Sequence, residues 1–194
     1  MKVSEINNVS WKSHIASIFH RLTGLYITSY DYGYYYTSLR ETFMQGQYKW
    51  LAARAKGKFV INLGAQTGDC AIYLLQHGAR HIIAYEPDSK SFALLKKNIE
   101  DKQITILCQK APQPFKPTIR NSYVIKSDIE GAEHQVFTEE ADLSGCTALQ
   151  IEYHYGPQSI PKFLRAKGFR VKVAKPYVYT MGDVGWIYAE MVKK

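Results

Sequence analysis

No stretch of the 194 residues stays apolar for the roughly 18 positions that a membrane-crossing helix needs. The opening residues 1–10 are polar and carry no apolar core of a secretion signal. Cysteine is scarce. Cys70, Cys108 and Cys146 fit neither a zinc spacing nor a redox pair, and an odd count excludes a framework that pairs every thiol. The expectation is three buried free thiols in a reducing cytoplasm. There is no internal repeat, no low-complexity stretch, no dense Lys/Arg run and no RNA-reading motif. Charged residues make up 22% and hydrophobic residues 46%, a globular balance that excludes a disordered chain.

What charge there is lies unevenly. The formal net charge is +8, yet residues 127–157 hold seven acids and no Lys or Arg, whereas residues 158–194 hold eight basic residues and two acids. A basic surface attracts polyanions such as RNA, and it also serves simply to keep a protein in solution.

Two regions differ in pattern. Residues 1–57 read as a helical, tyrosine-rich extension packed on the core. Ile15, Ile18, Phe19, Leu22 and Leu25 follow helical spacing, with Ser10 or Ser13 as a cap. The tyrosines at 30, 32, 34, 35 and 36 either line a pocket or cover a sheet. A second helix is expected over about Ser38 to Ala55. Residues 58–194 alternate strand and helix patterns. Strands are expected at 58–63, 81–85, 104–108, 122–126 and 148–153. Helices are expected at 69–77, from Asp88 as cap to about Glu100, at 131–140 and at 161–167. A final hairpin pairs 169–174 with 186–191. Alternation of this kind implies a doubly wound α/β fold, a mostly parallel seven-stranded sheet with right-handed crossovers that ends in an antiparallel pair.

In such sheets ligands sit at the carboxyl ends of the strands. After the first strand comes Asn62-Leu63-Gly64-Ala65-Gln66-Thr67-Gly68. Gly64 can take backbone angles closed to other residues and leaves room for a ligand, and Gly68 permits close packing where a helix begins. After the second strand comes Glu86, well placed to accept hydrogen bonds from a ribose diol. A dehydrogenase fingerprint needs glycine at 64, 66 and 69; Gln66 and Asp69 break it.

Residues 59–153 resemble the FkbM-type methyltransferase family. Asn62 to Gly68 stands where that family has a motif close to Asp-x-Gly-Ala-Asn-x-Gly. Glu86-Pro87 and Leu95-Lys96-Lys97-Asn98 match its second strand end and following helix. Lys126-Ser127-Asp128-Ile129-Glu130-Gly131-Ala132-Glu133 matches its Lys-x-Asp-x-Glu-Gly-Ala-Glu motif, and Glu152-Tyr153-His154 its Glu-x-His. The resemblance implies S-adenosylmethionine as cofactor and methyl transfer to oxygen. It implies that Asn62 and Gly64, Ala65, Gln66, Thr67 and Gly68 wrap the methionine part. Glu86 with Pro87 would hold the ribose, the loop at Gln109 to Ala111 would border the adenine, and Asp128 would face the methionine end or the acceptor. One departure is Asn62 in place of the family's first Asp, which removes a negative charge.

Methyl transfer to an alcohol needs alignment and a group that removes a proton. Asp128, Glu130 and His154 are the candidate catalytic residues, His154 as base because its ordinary pKa lies near neutrality. The same oxygen-rich group with one His is a donor set for Mg²⁺ or Mn²⁺. Glu130 and Glu133 more readily serve the start of the following helix, so no metal is assigned. The acceptor expected is a small or sugar-like molecule. RNA methylation and a non-catalytic module of the same fold, the latter motivated by Asn62, stand as alternatives. Oligomeric state leaves no mark in the sequence.

Overall fold

The computed structural model describes residues 20, 21, 25, 40–99, 103–117, 119–174 and 183–192. The helix expected around Ile15 to Leu25, the tyrosine run and the 175–182 loop lie almost wholly outside them. The sheet has seven strands: β1 (Phe59–Leu63), β2 (His81–Tyr85), β3 (Ile104–Leu107), β4 (Tyr123–Ser127), β5 (Cys146–Tyr153), β6 (Phe169–Ala174) and β7 (Gly185–Met191). Their spatial order is β3-β2-β1-β4-β5-β7-β6. The first five run parallel; β7 inserts antiparallel between β5 and β6. This is the doubly wound architecture expected, antiparallel end included.

Alternation along the strands explains the two layers of core. Ile61, Leu63, Ile83, Tyr85, Ile125, Leu149 and Ile151 point to one face, where Phe115, Phe137 and the helix α5 (Ile160–Ala166) cover them. Val60, Ile82, Ala84, Val124 and Ala148 point to the other, beneath the helices α1 (Lys49–Ala55), α2 (Asp69–Gln76) and α3 (Ser89–Asn98). A strand buried on both sides reads as a near-continuous apolar run, which Phe59–Leu63 is apart from Asn62 and His81–Tyr85 is after its first residue. Asp88 caps α3 as expected, its side chain accepting the N–H of Ser91 at 2.8 Å.

Three expectations are corrected. The helix foreseen over Ser38 to Ala55 is two pieces: a π-helical turn (Arg40–Met44) and α1, parted at Gly46, whose φ of +66° a continuing helix does not accept. The helix foreseen at 131–140 shrinks to the single turn α4 (Glu133–Val136), since Phe137 leaves helical geometry and its side chain enters the core instead. Of the three free thiols, Cys70 and Cys146 are buried but Cys108 is exposed.

The strand order reverses between β1 and β4, and this opens a crevice at their carboxyl ends. Two contacts set its width. Asp128 donates its backbone N–H to the carbonyl of Leu63 at 3.1 Å, and Gly64 lies so close that a Cβ there would stand 1.8 Å from the carbonyl oxygen of Asp128. The glycine is demanded by the neighbouring strand end, in addition to its φ of +75°. Gly64→Ala is expected to destabilise the fold by about 2–4 kcal/mol, through left-handed strain and overpacking together. Urea unfolding measures this, and a loss under about 0.5 kcal/mol would contradict so tight an approach.

Candidate functional site

At that switch point lies a cleft of ≈ 180 Å³. The turn after β1 contributes Gly64 and Gln66 to its wall, the end of β4 contributes Lys126 and Asp128, and Glu130 follows. The end of β5 adds Glu152 and His154, which share a side of the strand because they stand two residues apart. The fourth wall, Glu41, Gln47 and Tyr48, comes from the segment before α1. A larger open depression of ≈ 460 Å³ between Gln113, Pro114 and residues 135–140 gathers no basic or buried polar side chain and lies away from the switch point.

Of the residues singled out from sequence, Gly64, Gln66, Asp128, Glu130 and His154 line the cleft together. Glu86 lies directly behind the turn. Its carboxylate is buried and accepts the N–H of Gln66 at 2.7 Å and of Asp88 at 2.8 Å, so it ties the glycine turn to the end of β2. A carboxylate has about four acceptor sites, which leaves capacity for hydroxyl donors. Ala65, Thr67 and Gly68 build the turn from inside; a Cβ on Gly68 would come within 2.8 Å of Leu95. Asn62 is fully buried beneath it. Pro87 is exposed beyond Glu86, and Ala111 packs against the core under the sheet's opposite face.

The cleft is rich in acids: Glu41, Asp69, Asp128, Glu130 and Glu152 face two basic groups, Lys126 and His154. Lys126 is buried, donates to the carbonyl of Gly64 at 2.7 Å and pairs with Asp128 Oδ2 at 3.8 Å, with the Tyr48 ring 5.8 Å from its Nζ. Burial alone would lower its pKa, but Asp128 and the other acids outweigh that and lift it, so the ammonium is retained. Asp69 takes the Thr42 hydroxyl at 2.7 Å, which fastens the π-helical turn over the cleft. Gln150, buried in β5, donates to the carbonyl of Gln47 at 3.0 Å and fastens the next turn.

His154 is held on both nitrogens. Its Nδ1 donates to Glu133 Oε1 at 3.2 Å, and its Nε2 lies 3.4 Å from Glu130 Oε2. The hydrogen bond to Glu133, working against burial, raises His154 to about 9. At neutral pH the ring is therefore an imidazolium. Glu133 itself is fully buried; burial pushes its pKa up, but the bonds from His154 and from the N–H of Gly131 win, and the net shift is down. Glu152 goes the other way. Burial first, then the Asp128 charge, push it up to about 8. Ligand atoms of Asp128, Glu130 and His154 come within 4.8 Å of one another, close enough for one ion, and His154 already meets carboxylates without one.

Sequence reading missed Glu41, Gln47 and Tyr48. Their only signal was Gly46, which breaks the expected helix and turns the chain over the strand ends.

Neither a protein-family model nor a curated protein matches this chain. Solved structures do. TrmK of M. capricolum in complex with S-adenosyl-homocysteine has a TM-score of 0.58 at 14% identity, over 76% of this chain and 68% of that one. Magnesium protoporphyrin IX methyltransferase of Synechocystis, solved with bound SAM, gives 0.53 at 14% identity over 93% and 97%. The 23S rRNA methyltransferase ErmE gives 0.52 at 12% over 76% and 68%. At these identities the likeness shows the fold, which is the Rossmann-like methyltransferase fold.

The shifted groups make a statement about stability. Glu152 and His154 both hold protons more tightly folded than unfolded. Each therefore contributes stability that is full below its unfolded pKa, 4.5 and 6.5, and is lost as pH rises through about 8 and about 9. Their combined contribution to thermal stability is expected to fall between pH 4.5 and 9, the Glu152 part up to about 8 and the His154 part from 6.5. Glu152→Gln removes the carboxyl's part, so the variant should melt about 2–4 °C above the parent at pH 9 and level with it at pH 5. Parallel melting curves for the two proteins across that range would sink this assignment.

Proposed function

We propose that this chain is an S-adenosylmethionine-dependent methyltransferase of the FkbM type, acting on a hydroxyl of a small or sugar-like acceptor. The observation that carries the reading is the union of the glycine turn and Glu86 in one hydrogen-bonded unit at the switch point, beside a cleft with an excess of carboxylates. The cofactor carries a sulfonium and an ammonium, and acids suit both. Gly64 to Gly68 would border its amino-acid part, Glu86 with its spare acceptor sites would take the ribose, and Asp128 with Asp69 and Glu41 would balance its positive charge.

The bound cofactor supplies a methyl carbon made electrophilic by its sulfonium. The protein's task is to bring a hydroxyl into line and take its proton. Polar atoms of His154, Glu130 and Asp128 lie within 4.8 Å of one another, so a hydroxyl among them would meet all three. As an imidazolium, His154 keeps its Nδ1–H on Glu133 and would turn its Nε2–H from Glu130 to the acceptor oxygen to orient it, and Glu130, so released, or Asp128 would receive the hydroxyl proton. Above about pH 9 the ring loses the proton with which it would donate, and the rate would fall. The segment 41–48 covers the other side and limits water. Residues 1–57 act in this reading as an extension of the 58–194 catalytic domain. The +8 net charge supports RNA as a second acceptor class, and salt-sensitive RNA binding at low ionic strength is its test.

Calorimetry with S-adenosylhomocysteine tests the cofactor reading. Micromolar binding is expected, and Glu86→Ala should weaken it at least about tenfold. A folded protein that binds nothing would refute the reading and favour a non-catalytic module. With an acceptor in hand, transfer of labelled methyl should fall about 10²–10⁴-fold in His154→Ala. Glu133→Gln should move the alkaline limb of the pH–rate profile down from about 9 towards 6.5, because it removes the bond that raises His154. An unmoved limb would assign that titration to another group.

A further inference from the structure

Immediately after His154 the chain does something costly. Tyr155 takes a left-handed φ of +62°, a region that aromatic residues rarely enter. Its backbone neighbourhood is fastened at three successive residues. The His154 carbonyl accepts from His134 Nε2 at 2.8 Å, the Tyr155 carbonyl accepts from Gln158 Nε2 at 3.2 Å, and the Gly156 N–H donates to the Asp183 carbonyl at 2.7 Å. All that anchoring leaves the ring outside: Tyr155 is 71% exposed. The edge of the ring rests on Gly131, where a Cβ would meet its Cε2 at 2.8 Å. Gly131 directly follows Glu130 and Tyr155 directly follows His154, so the contact of the ring with Gly131 joins the two chain segments that carry these cleft residues, one residue beyond each.

We propose that Tyr155 is the acceptor platform, on which the C–H face of a neutral sugar ring lies while Glu130 and His154 take its hydroxyls. This rests on the methyltransferase reading and narrows its acceptor. A rigid aromatic surface with an open face gives contact area at little entropic cost. The groups beside it are an exposed carboxylate, which accepts from hydroxyls, and an imidazolium, which donates to them. A phosphate at the same place would meet the exposed Glu130 carboxylate, while the nearby cations are already engaged, His154 by Glu130 and Glu133 and Lys126 by Asp128. The platform thus favours an uncharged polyhydroxylated ring over a nucleotide.

The test uses the full chain saturated with S-adenosylhomocysteine, which calorimetry verifies first. Saturation-transfer NMR then probes the methyl glycosides of glucose, galactose and mannose, with 4-methylphenol and a short oligouridylate as competing chemistries. At least one glycoside should receive saturation, strongest on the protons of one ring face. Tyr155→Asn, whose new residue tolerates left-handed backbone, should weaken that binding about tenfold. Tyr155→Phe should keep it within about threefold, and neither variant should alter the affinity for S-adenosylhomocysteine. Should Tyr155→Asn not fold, the comparison of Tyr155→Phe with Tyr155→Leu, which keeps bulk without the aromatic face, carries the test. Silent glycosides, glycoside binding indifferent to position 155, or Tyr155-dependent binding of the phenol or oligouridylate alone would overturn the platform and leave the cofactor reading standing. Failure to bind S-adenosylhomocysteine would overturn both.

Discussion

The turn after β1 and the end of β4 touch backbone to backbone, and the cleft exists in its present form because of that contact. Only a residue without a side chain fits opposite the Asp128 carbonyl. The Lys126 ammonium then binds the Gly64 carbonyl, so the same two strand ends are joined a second time by a charge-assisted bond. Glu86 joins the turn to β2 through Gln66. Three strand ends are thereby locked into one rigid body, and Asp128, Glu130 and Gln66 are held at fixed places on it. A site built on packed strand ends in this way is positioned more firmly than one carried by loops alone.

A chain with a net charge of +8 has folded so that its acids converge. The acid-only stretch at 127–157 supplies most of them, because β4, α4 and β5 bring its two ends to adjacent places in the sheet. Crowding of like charges in a partly buried cleft has to be relieved, and the structure relieves it in three ways. Lys126 and His154 stay protonated, Glu152 is pushed towards its neutral form, and Glu133 is neutralised by its pairing with His154. The remaining excess is an attraction for a cation. It works within the cleft, whereas the basic remainder of the surface works at longer range on any polyanion. Overall charge is therefore a poor guide to what enters the cleft.

The fold was legible because its signals were local. His81–Tyr85 and Phe169–Ala174 have the bounds that apolar runs and flanking turn residues suggest. Asp88 is a cap with a visible reason. The strand ends that carry Gly64, Glu86, Asp128 and His154 could be placed from the order of elements alone. What escaped was non-local. The π-helical turn depends on Thr42 reaching Asp69 across 27 residues of sequence, and the covering role of Gln47 depends on Gln150 more than 100 residues away. The short α4 depends on Phe137 finding the core. The imidazolium state of His154 depends on Glu133, a residue that sequence reading assigned to a helix start. In each case tertiary contact overrode the local pattern.

Position 62 lies where the polar row of the sheet meets the cleft. The FkbM-type pattern has an acid there, and this chain has Asn62. Its side chain is fully buried, stands in register beside Lys126, and has neither amide atom hydrogen-bonded within the protein among the described residues. Lys126 stands in register with Gln150 on its other side, so one polar row crosses the sheet beneath the covering segment. An acid at 62 would give Lys126 a buried counter-ion on its own strand layer. With Asn62 the ammonium depends on Asp128 and the Gly64 carbonyl instead, both of which belong to the cleft. In this chain the lysine keeps its proton through Asp128, with Asp69 and Glu152 nearby, and its bond to the Gly64 carbonyl ties that charge to the geometry of the turn.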